Sequence, residues 1–222
     1  MFTSCNRLES IWATSFNYMT ISTATYPLNG CRKLVGQAGY ITPDSTGKTA
    51  LSFGTSGVLT NPSQDQRTWV WGHLYDTGAL EVSASATPDA NRTVLATGRV
   101  CANANYLTAG AMPRYDQRVQ LRTCVFLADV ATILSWNLDC WFYGMTALAG
   151  VSGWANVGAL ASLKQAFNGC TGLASLDLSG LDPSALLDYA YAFAGCSNLV
   201  TIYVDSTWAL ASGASGMATF YN

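Results

Sequence analysis

Charge is scarce in this sequence and unevenly spread. Only 11% of the 222 residues are charged, well below the usual quarter. Residues 126–222 hold one basic residue, Lys164, against six acidic ones. A nucleic-acid ligand requires a stripe of Lys and Arg that displaces its counterions. The C-terminal part cannot supply that stripe, so the sequence argues against a nucleic-acid partner.

Long hydrophobic runs are also missing. No apolar stretch approaches the roughly 20 residues that cross a bilayer, so we expect no membrane insertion. The first residues, "MFTSCNRLES", lack a basic region followed by an apolar one, so no signal peptide is visible. Low charge with abundant Ser, Thr, Asn and Gly is common in secreted and surface-exposed proteins, and we expect an extracellular or cell-surface location.

Residues that carry chemistry are few. The chain has one His and no Cys-x-x-Cys pair, so the spacing typical of a zinc site is absent. Gly47-Lys48-Thr49 resembles the end of a phosphate-binding loop, but Thr42 stands where that motif requires its first Gly. We therefore expect no cofactor, no metal and no catalytic residues.

An internal repeat is the strongest signal present. The segments "WFYGMTALAGVSG", "AFNGCTGLASLDL" and "AFAGCSNLVTIYV" share the frame Phe-x-x-Cys-x-x-Leu-x-x-Ile/Leu/Val, with Met145 at the Cys position of the first. "MFTSCNRLESIWA" (1–13) fits too, and "PLNGCRKLVG" (27–36) is a weaker copy. Phe142, Phe167, Phe193 and Phe220 lie 25, 26 and 27 residues apart. A period in the twenties is typical of leucine-rich repeats.

Each copy predicts a strand and a short helix. "LASLDL" and "LVTIYV" alternate as half-buried strands do, and stacked copies would pair them in parallel. The stretch "DPSALLDYAYAFAGC" (182–196) opens with Asp182-Pro183, which favours a helix start. Gly169 and Gly195 fit turns at helix ends. The predicted fold class is α/β: a leucine-rich-repeat solenoid with parallel strands and short helices.

These motifs resemble the BspA-like leucine-rich repeats of bacterial surface proteins. The resemblance rests on "MFTSCNRLESI", "AFNGCTGLASLDLSGLDPS" and "AFAGCSNLVTIYVDSTW", and covers residues 117–222 well and 1–60 moderately. It implies a scaffold with a binding role, typically adhesion to host or neighbouring-cell components. It brings no catalytic residues.

The middle of the chain, residues 61–116, departs from the repeat. "WVWGHLY" and "ALEVSAS" both alternate and flank the turn signal Asp76-Thr77-Gly78, which predicts a β-hairpin. We therefore predict three parts: a partial repeat array with a closing segment (1–60), a β-rich linking or capping segment (61–116), and a second array (117–222). Because the sequence starts and stops inside copies of the repeat, we expect it to be part of a longer repeat chain.

The cysteines recur at one position of the frame: Cys5, Cys31, Cys170 and Cys196. Met145 replaces them in another copy, which favours buried side chains chosen for packing. A disulfide between neighbouring copies, or a metal or catalytic role, are the alternatives.

Two groups of residues are candidate ligand contacts. The first lies in the hairpin, where a sugar could stack on aromatic rings near His73. A second interpretation is that these rings form one packed face with a structural role. A third is that Asp76 and Glu81 are the two carboxylates of a glycosidase site. The second follows the repeat strands, where acidic residues could line a rim that favours a basic partner, or be solvated loop ends. The candidate residues are Trp69, Trp71, Tyr75, Asp177, Tyr203 and Asp205.

The repeat, the low charge and the lack of catalytic residues together predict a binding function. The sequence favours a non-enzymatic binding module of a cell-surface or secreted bacterial protein, with a protein or glycan ligand. The alternative is a structural spacer or a receptor-binding component of a phage or prophage tail.

Overall fold

The computed structural model describes residues 11–12, 59–60, 67–103 and 117–221. These residues form strands in four sheets and two short 3-10 helices, Ala128–Val130 and Trp154–Asn156. The strands are β1 Ile11–Trp12, β2 Leu59–Thr60, β3 Trp69–Tyr75, β4 Ala79–Ser83, β5 Val94–Cys101, β6 Thr123–Phe126, β7 Ser135–Asn137, β8 Gly150–Ser152, β9 Ala159–Ser162, β10 Ser175–Asp177 and β11 Thr201–Tyr203.

The predicted fold class is wrong. No α-helix occurs in the described residues, and the largest sheet is mixed rather than parallel. Its strand order is β5-β3-β4-β6-β8, with antiparallel pairing on both sides of β3 and parallel pairing of β4 with β6 and β6 with β8. The described chain is therefore a β-rich fold and not an α/β leucine-rich-repeat solenoid.

The predicted helices fail because a left-handed residue precedes the Phe of every copy, with Ala218 (φ 50°) in this position before Phe220. Cys140, Gln165 and Tyr191 have φ values of 56°, 54° and 56°. Each lies two positions before the Phe of its copy, inside the stretch whose apolar spacing predicts a helix. An L-residue in the left-handed region interrupts a right-handed helix. Turns replace the helices, although Gly169 and Gly195 are indeed turn residues with positive φ.

Backbone hydrogen bonds between copies take the donors that a helix would use. Phe142 N–H donates to Ala166 O at 2.8 Å, and Phe167 N–H donates to Ala192 O at 2.8 Å. The residues four and two positions before each Phe and two positions after it do the same, giving four such bonds between each pair of successive copies. An N–H that donates to the next copy cannot donate to residue i−4 of its own.

The copies consequently stack as layers, which we number 1 to 4 by Phe142, Phe167, Phe193 and Phe220. The four rings form an aromatic column with centroid distances of 5.0, 5.5 and 5.5 Å and interplanar angles of 13–16°. The frame predicted from sequence lies inside: Cys170, Leu173 and Leu176 of layer 2 are buried. The strands β8, β10 and β11 sit at the same frame position in layers 1, 2 and 3.

The predicted hairpin is confirmed. Strands β3 and β4 pair antiparallel, with Trp71 opposite Ser83 and Leu74 opposite Leu80. Gly78 closes the turn with φ +81°, and a Cβ there would lie 2.5 Å from the Gln120 carbonyl oxygen. Glycine is required at such a position.

The hairpin lies against the start of the layers, because β4 pairs with β6. Aromatic side chains fill the space behind this junction. The Phe126 ring lies 5.4 Å from Trp136, 6.0 Å from Trp141 and 5.4 Å from Trp154. All four are buried, so the main core sits between the mixed sheet and layer 1.

Several sequence predictions fall outside the described residues. These are the side chains of the copies at 1–13 and 27–36, including Cys5 and Cys31, and the segment Gly47-Lys48-Thr49. The boundaries of the three predicted parts stay predictions.

Candidate functional site: the outer face of the strands

The outer face of the mixed sheet carries the first group of candidate residues. Along β3, Val70 and Leu74 are buried in the core, while Trp69 and Trp71 are partly exposed, and Trp69 also packs against the edge of the core. This follows from the two-residue period of a strand. The strand therefore holds two indole rings on a firm backbone at the surface.

Two arginines flank the Trp69 ring. The Arg99 guanidinium lies 4.3 Å from the ring centroid and that of Arg67 lies 5.4 Å from it, both within cation–π range. Arg99 is on β5, directly opposite Trp71. The surface patch of Trp69, Trp71, Arg67 and Arg99, which we call the Trp-Arg patch, is thus aromatic and cationic together.

Sequence reasoning missed both arginines. The signal for Arg99 is the alternation in "VLATGRVC", which is the β5 segment and for which no strand was predicted from the sequence. Its pairing with β3 places Arg99 beside the indoles. For Arg67 no comparable signal exists, because its position depends on tertiary contacts.

Tyr75 occupies a different environment from the two tryptophans, although it is on the same strand. It is fully buried, and burial raises the pKa of its phenol above the usual value. Its hydroxyl donates to Glu81 at 2.9 Å and accepts from the Asp89 N–H at 3.0 Å. Arg92 lies over the ring at 3.5 Å and pairs with Glu81. Tyr75 therefore anchors the loop after β4 and does not face a ligand.

Both ring nitrogens of His73 are likewise engaged in contacts within the protein. Nε2 donates to the Ser85 carbonyl at 3.0 Å, and Nδ1 lies 3.1 Å from the Thr97 hydroxyl. The Glu81 carboxylate bonds Tyr75 and Arg92, while Asp76 is exposed in the turn. These contacts support the interpretation of the hairpin polar residues as structural rather than as a glycosidase pair.

The second group of candidates lies at the other end of the strand face. Asp177 on β10 is opposite Tyr203 on β11, and the Tyr203 side chain is 56% exposed. Asp205 Oδ2 accepts from the Gly180 N–H at 2.7 Å, so its carboxylate lies close to the β10 end. Hydrogen bonds from the Ser179 hydroxyl and N–H lower the pKa of Asp177. The structure thus brings Asp177, Tyr203 and Asp205 together in one acidic cluster.

The hairpin candidates and the acidic cluster lie on the same side of the strands, but they are too far apart to form one site. Glu81 on the outer face pairs with Val125, and Val125 with Ser152, so the outer face continues from the hairpin to β8. The Trp154 indole, just after β8, donates to the Asp177 carbonyl at 2.7 Å and ties β10 alongside. Four strand spacings separate β3 from β10, roughly 19 Å. A single small ligand cannot bridge the two groups, but an extended glycan or a protein surface can.

The repeat cysteines have a more specific environment than packing alone predicts. Cys170 Sγ donates to the Phe142 carbonyl and Cys196 Sγ to the Phe167 carbonyl, each at 3.0 Å and each to the preceding layer. Burial raises the pKa of both thiols. The cysteines in the described part are buried, reduced thiols: Cys101, Cys124, Cys140, Cys170 and Cys196. No cluster of three metal-ligating side chains occurs among the described residues.

One carboxylate is buried between layers 1 and 2. Asp139 is 2% exposed, and its Oδ1 accepts from the Ser162 hydroxyl and from the Lys164 N–H at 3.1 Å. The pKa of Asp139 is raised to about 6, because burial and, to a smaller extent, the nearby Asp188 carboxylate outweigh the lowering effect of these hydrogen bonds. Sequence reasoning missed this cluster, because its members belong to different copies.

Comparisons with known proteins add no information on the fold or the function of this chain. No family model matches the chain, and neither a curated protein nor a solved structure shows significant similarity to it. The resemblance to BspA-like repeats therefore stays a prediction. In the part of the chain that the structure describes, no helix has the length and apolarity to cross a bilayer.

Proposed function

We propose that this chain is a non-enzymatic binding module, and that it recognises a protein or glycan ligand through the outer face of its strands. The observation that carries the proposal is the Trp-Arg patch, where Arg99 stacks on Trp69 beside Trp71. Trp and Arg are enriched among the residues that dominate binding energies. Indole faces also stack on sugar rings, and guanidinium groups bind carboxylates in bidentate fashion.

The fixed backbone beneath the two indole rings also supports a role in ligand binding. Trp71 lies where β3 is paired on both sides, with β4 and β5, and Trp69, the first residue of β3, is paired with β5. Their backbone is held before a ligand arrives, which lowers the entropic cost of binding. The acidic cluster of Asp177, Tyr203 and Asp205 offers a second contact region for a longer ligand.

The proposed location is the cell surface or the extracellular medium of a bacterium. The low charge of the sequence and its resemblance to bacterial surface repeats support this. The second candidate, a structural spacer or tail-type receptor-binding component, is supported by the regular stacking of the repeat copies into layers.

A glycan array and a pull-down from bacterial and host surface extracts test the proposal with the full chain. Any ligand found is then titrated against wild type, Trp71→Ala and Arg99→Lys. We expect Trp71→Ala to weaken binding at least about tenfold, which corresponds to about 1.4 kcal/mol. Arg99→Lys should weaken it less, because charge is kept and stacking is reduced.

Leu134→Ser is the matched control, since Leu134 is 81% exposed and lies away from the patch. Its affinity should equal that of wild type. Equal affinity of Trp71→Ala and wild type, or no ligand in either screen, would contradict the proposal.

A further inference from the structure

A row of side chains crosses the Trp-Arg patch from β5 to β4. Trp71 is directly opposite Arg99 on one side and directly opposite Ser83 on the other. Residues that are directly opposite in a sheet lie on the same face, so the three side chains stand next to one another. The row ends in a cation on β5 and, through Ser83, in a carboxylate beside β4.

Arg99 is the cationic end of the row. It is exposed, and its guanidinium lies 4.3 Å from the Trp69 ring centroid. The N–H donors of a guanidinium lie in its own plane, so a guanidinium that packs on an aromatic face keeps them for an acceptor. Within the part of the chain that the structure describes, the ion pairs join Arg92 with Glu81 and Lys164 with Asp188. No described carboxylate therefore neutralises Arg99.

Asp129 is the anionic end of the row. It belongs to the 3-10 helix Ala128–Val130 and is exposed. Ser83, which is 3% exposed, donates its hydroxyl to Asp129 Oδ2 at 2.6 Å and accepts from the Ser85 N–H at 2.9 Å. These bonds hold the carboxylate next to β4. An ionised carboxylate accepts about four hydrogen bonds, so Asp129 keeps acceptor sites for the donors of a ligand.

The spacing of this row matches one sugar ring. Arg99 and Ser83 are two strand spacings apart, roughly 10 Å, with Trp71 between them. A pyranose with its substituents has about this width. Its C–H face can stack on the Trp71 indole while a group outside the ring reaches Arg99 and ring hydroxyls donate to Asp129.

The charges at the two ends decide which ligand fits best. A carboxylate attached to the sugar ring can accept two N–H donors from Arg99. An acidic side chain of a protein partner has neither a ring to cover Trp71 nor hydroxyl donors for Asp129. A glycan that is sulfated on all sides would place negative charge against Asp129, and like charges in contact lower the affinity. A ring with hydroxyls and one carboxylate suits all three residues.

We infer that the Trp-Arg patch binds a glycan that contains hexuronic acid. The ring stacks on Trp71, the carboxylate pairs with Arg99 and the hydroxyls donate to Asp129, while Ser83 is a positioning residue that holds Asp129. This inference rests on the proposed function and names the class of its ligand.

Calorimetric titration of the full chain tests the ligand class. The probes are oligomers of galacturonic, glucuronic, mannuronic and guluronic acid, each compared with its methyl ester, which keeps the ring and the hydroxyls and loses the charge. At least one acid should bind at least about tenfold more tightly than its ester, because hydrogen bonds between charged groups are stronger than neutral ones. Added salt should reduce this preference. Equal affinity for acid and ester, or no binding of any acid, would overturn the inference.

Three variants test the assignment of the three contacts. Arg99→Gln should lower the affinity for the acid to about that of the ester and leave the ester unchanged, because the glutamine amide carries no charge. Asp129→Asn should weaken acid and ester alike, since an amide nitrogen replaces an acceptor oxygen. Trp71→Ala should weaken both at least about tenfold. Equal losses of acid and ester in Arg99→Gln, or unchanged binding in Asp129→Asn, would contradict the assignment.

Arg122→Gln is the matched control. Arg122 is an exposed arginine beside the Gly78 turn, at the other end of the hairpin from the patch, and this variant should bind like wild type. Thermal melting monitored by circular dichroism verifies that each variant is folded.

One further comparison separates this inference from the proposed function. A neutral glycan or a protein ligand that is lost with Trp71→Ala and kept with Arg99→Gln would overturn the hexuronic acid assignment and leave the proposed function in place. If neither the uronic acids nor the glycan array and pull-down yield a ligand that depends on Trp71, both are overturned.

Discussion

Layer 2 and layer 4 each contribute one Phe ring to the aromatic column, and the two rings differ in how far they are covered. Phe167 stacks between two rings at 5.0 and 5.5 Å, while Phe220 has one neighbour at 5.5 Å and is largely exposed. The exposure differs because Phe167 has a stacked ring on each side and Phe220 has one on a single side. In such a stack the stability of a copy resides mainly in the interfaces on its two sides.

The largest contrast is expected from truncating these two rings. Phe167→Ala should lower the free energy of unfolding by about 3–5 kcal/mol, because it leaves a cavity inside the column. Phe220→Ala should lower it by less than about 1 kcal/mol, since the ring is already in water. Urea unfolding measures both, and equal losses would show that layers do not depend on their neighbours.

Two glycines allow a second comparison, between a crowded position and an open one. Gly153 and Gly213 both have positive φ, +81° and +84°, but a Cβ on Gly153 would collide with the Phe126 carbonyl oxygen while one on Gly213 meets nothing within 4 Å. Gly153→Ala should cost about 3 kcal/mol or more, from strain plus overlap. Gly213→Ala should cost about 1–2 kcal/mol from strain alone. Thermal and urea unfolding compare them; similar costs would mean that the space at Gly153 can open.

The smallest of the three effects concerns Asp139 between layers 1 and 2. Its pKa is raised from 3.8 to about 6, so the folded state holds the proton more tightly than the unfolded state does. Stability from this group is therefore greatest at low pH and is lost as the pH rises through about 6.

Asp139→Asn keeps the acceptor oxygen and removes the charge. At about pH 7.5 it should be more stable than wild type by about 1–3 kcal/mol, and the difference should shrink towards about pH 4. Urea titrations at both pH values measure it. Asp177→Asn is the control, because that carboxylate is exposed, and it should show no such gain. A gain that is independent of pH would rule out ionisation as its cause.

Whether a feature of the fold could be predicted from sequence depends on whether neighbouring residues or contacts between distant segments determine it. The hairpin is local: alternation in β3 and β4 and the Asp76-Thr77-Gly78 turn specify it, and it is present. The repeat spacing correctly gives the aromatic column, because equivalent residues stack. The helices are wrong, since nothing about a Gln or Tyr residue type signals the left-handed backbone of Gln165 and Tyr191.

The candidate site shows the same division. Trp69 and Trp71 reach the surface as strand alternation predicts. Tyr75 follows the same alternation but is buried, because the loop after β4 folds over it and Asp89 and Arg92 contact it. The acidic cluster required knowing that β10 and β11 pair in register, which places Asp177 opposite Tyr203. Contacts between distant segments decide each of these outcomes.

The backbone bonds between layers also have an electrostatic consequence. The amide N–H groups of Phe142, Phe167 and Phe193 all point towards the following layer, and the carbonyls that accept them point back. Their dipoles therefore add along the stack, as they do along a helix. The positive pole of this row lies at the layer-4 end, where it favours neighbouring groups that present oxygen atoms, such as carbonyls and carboxylates.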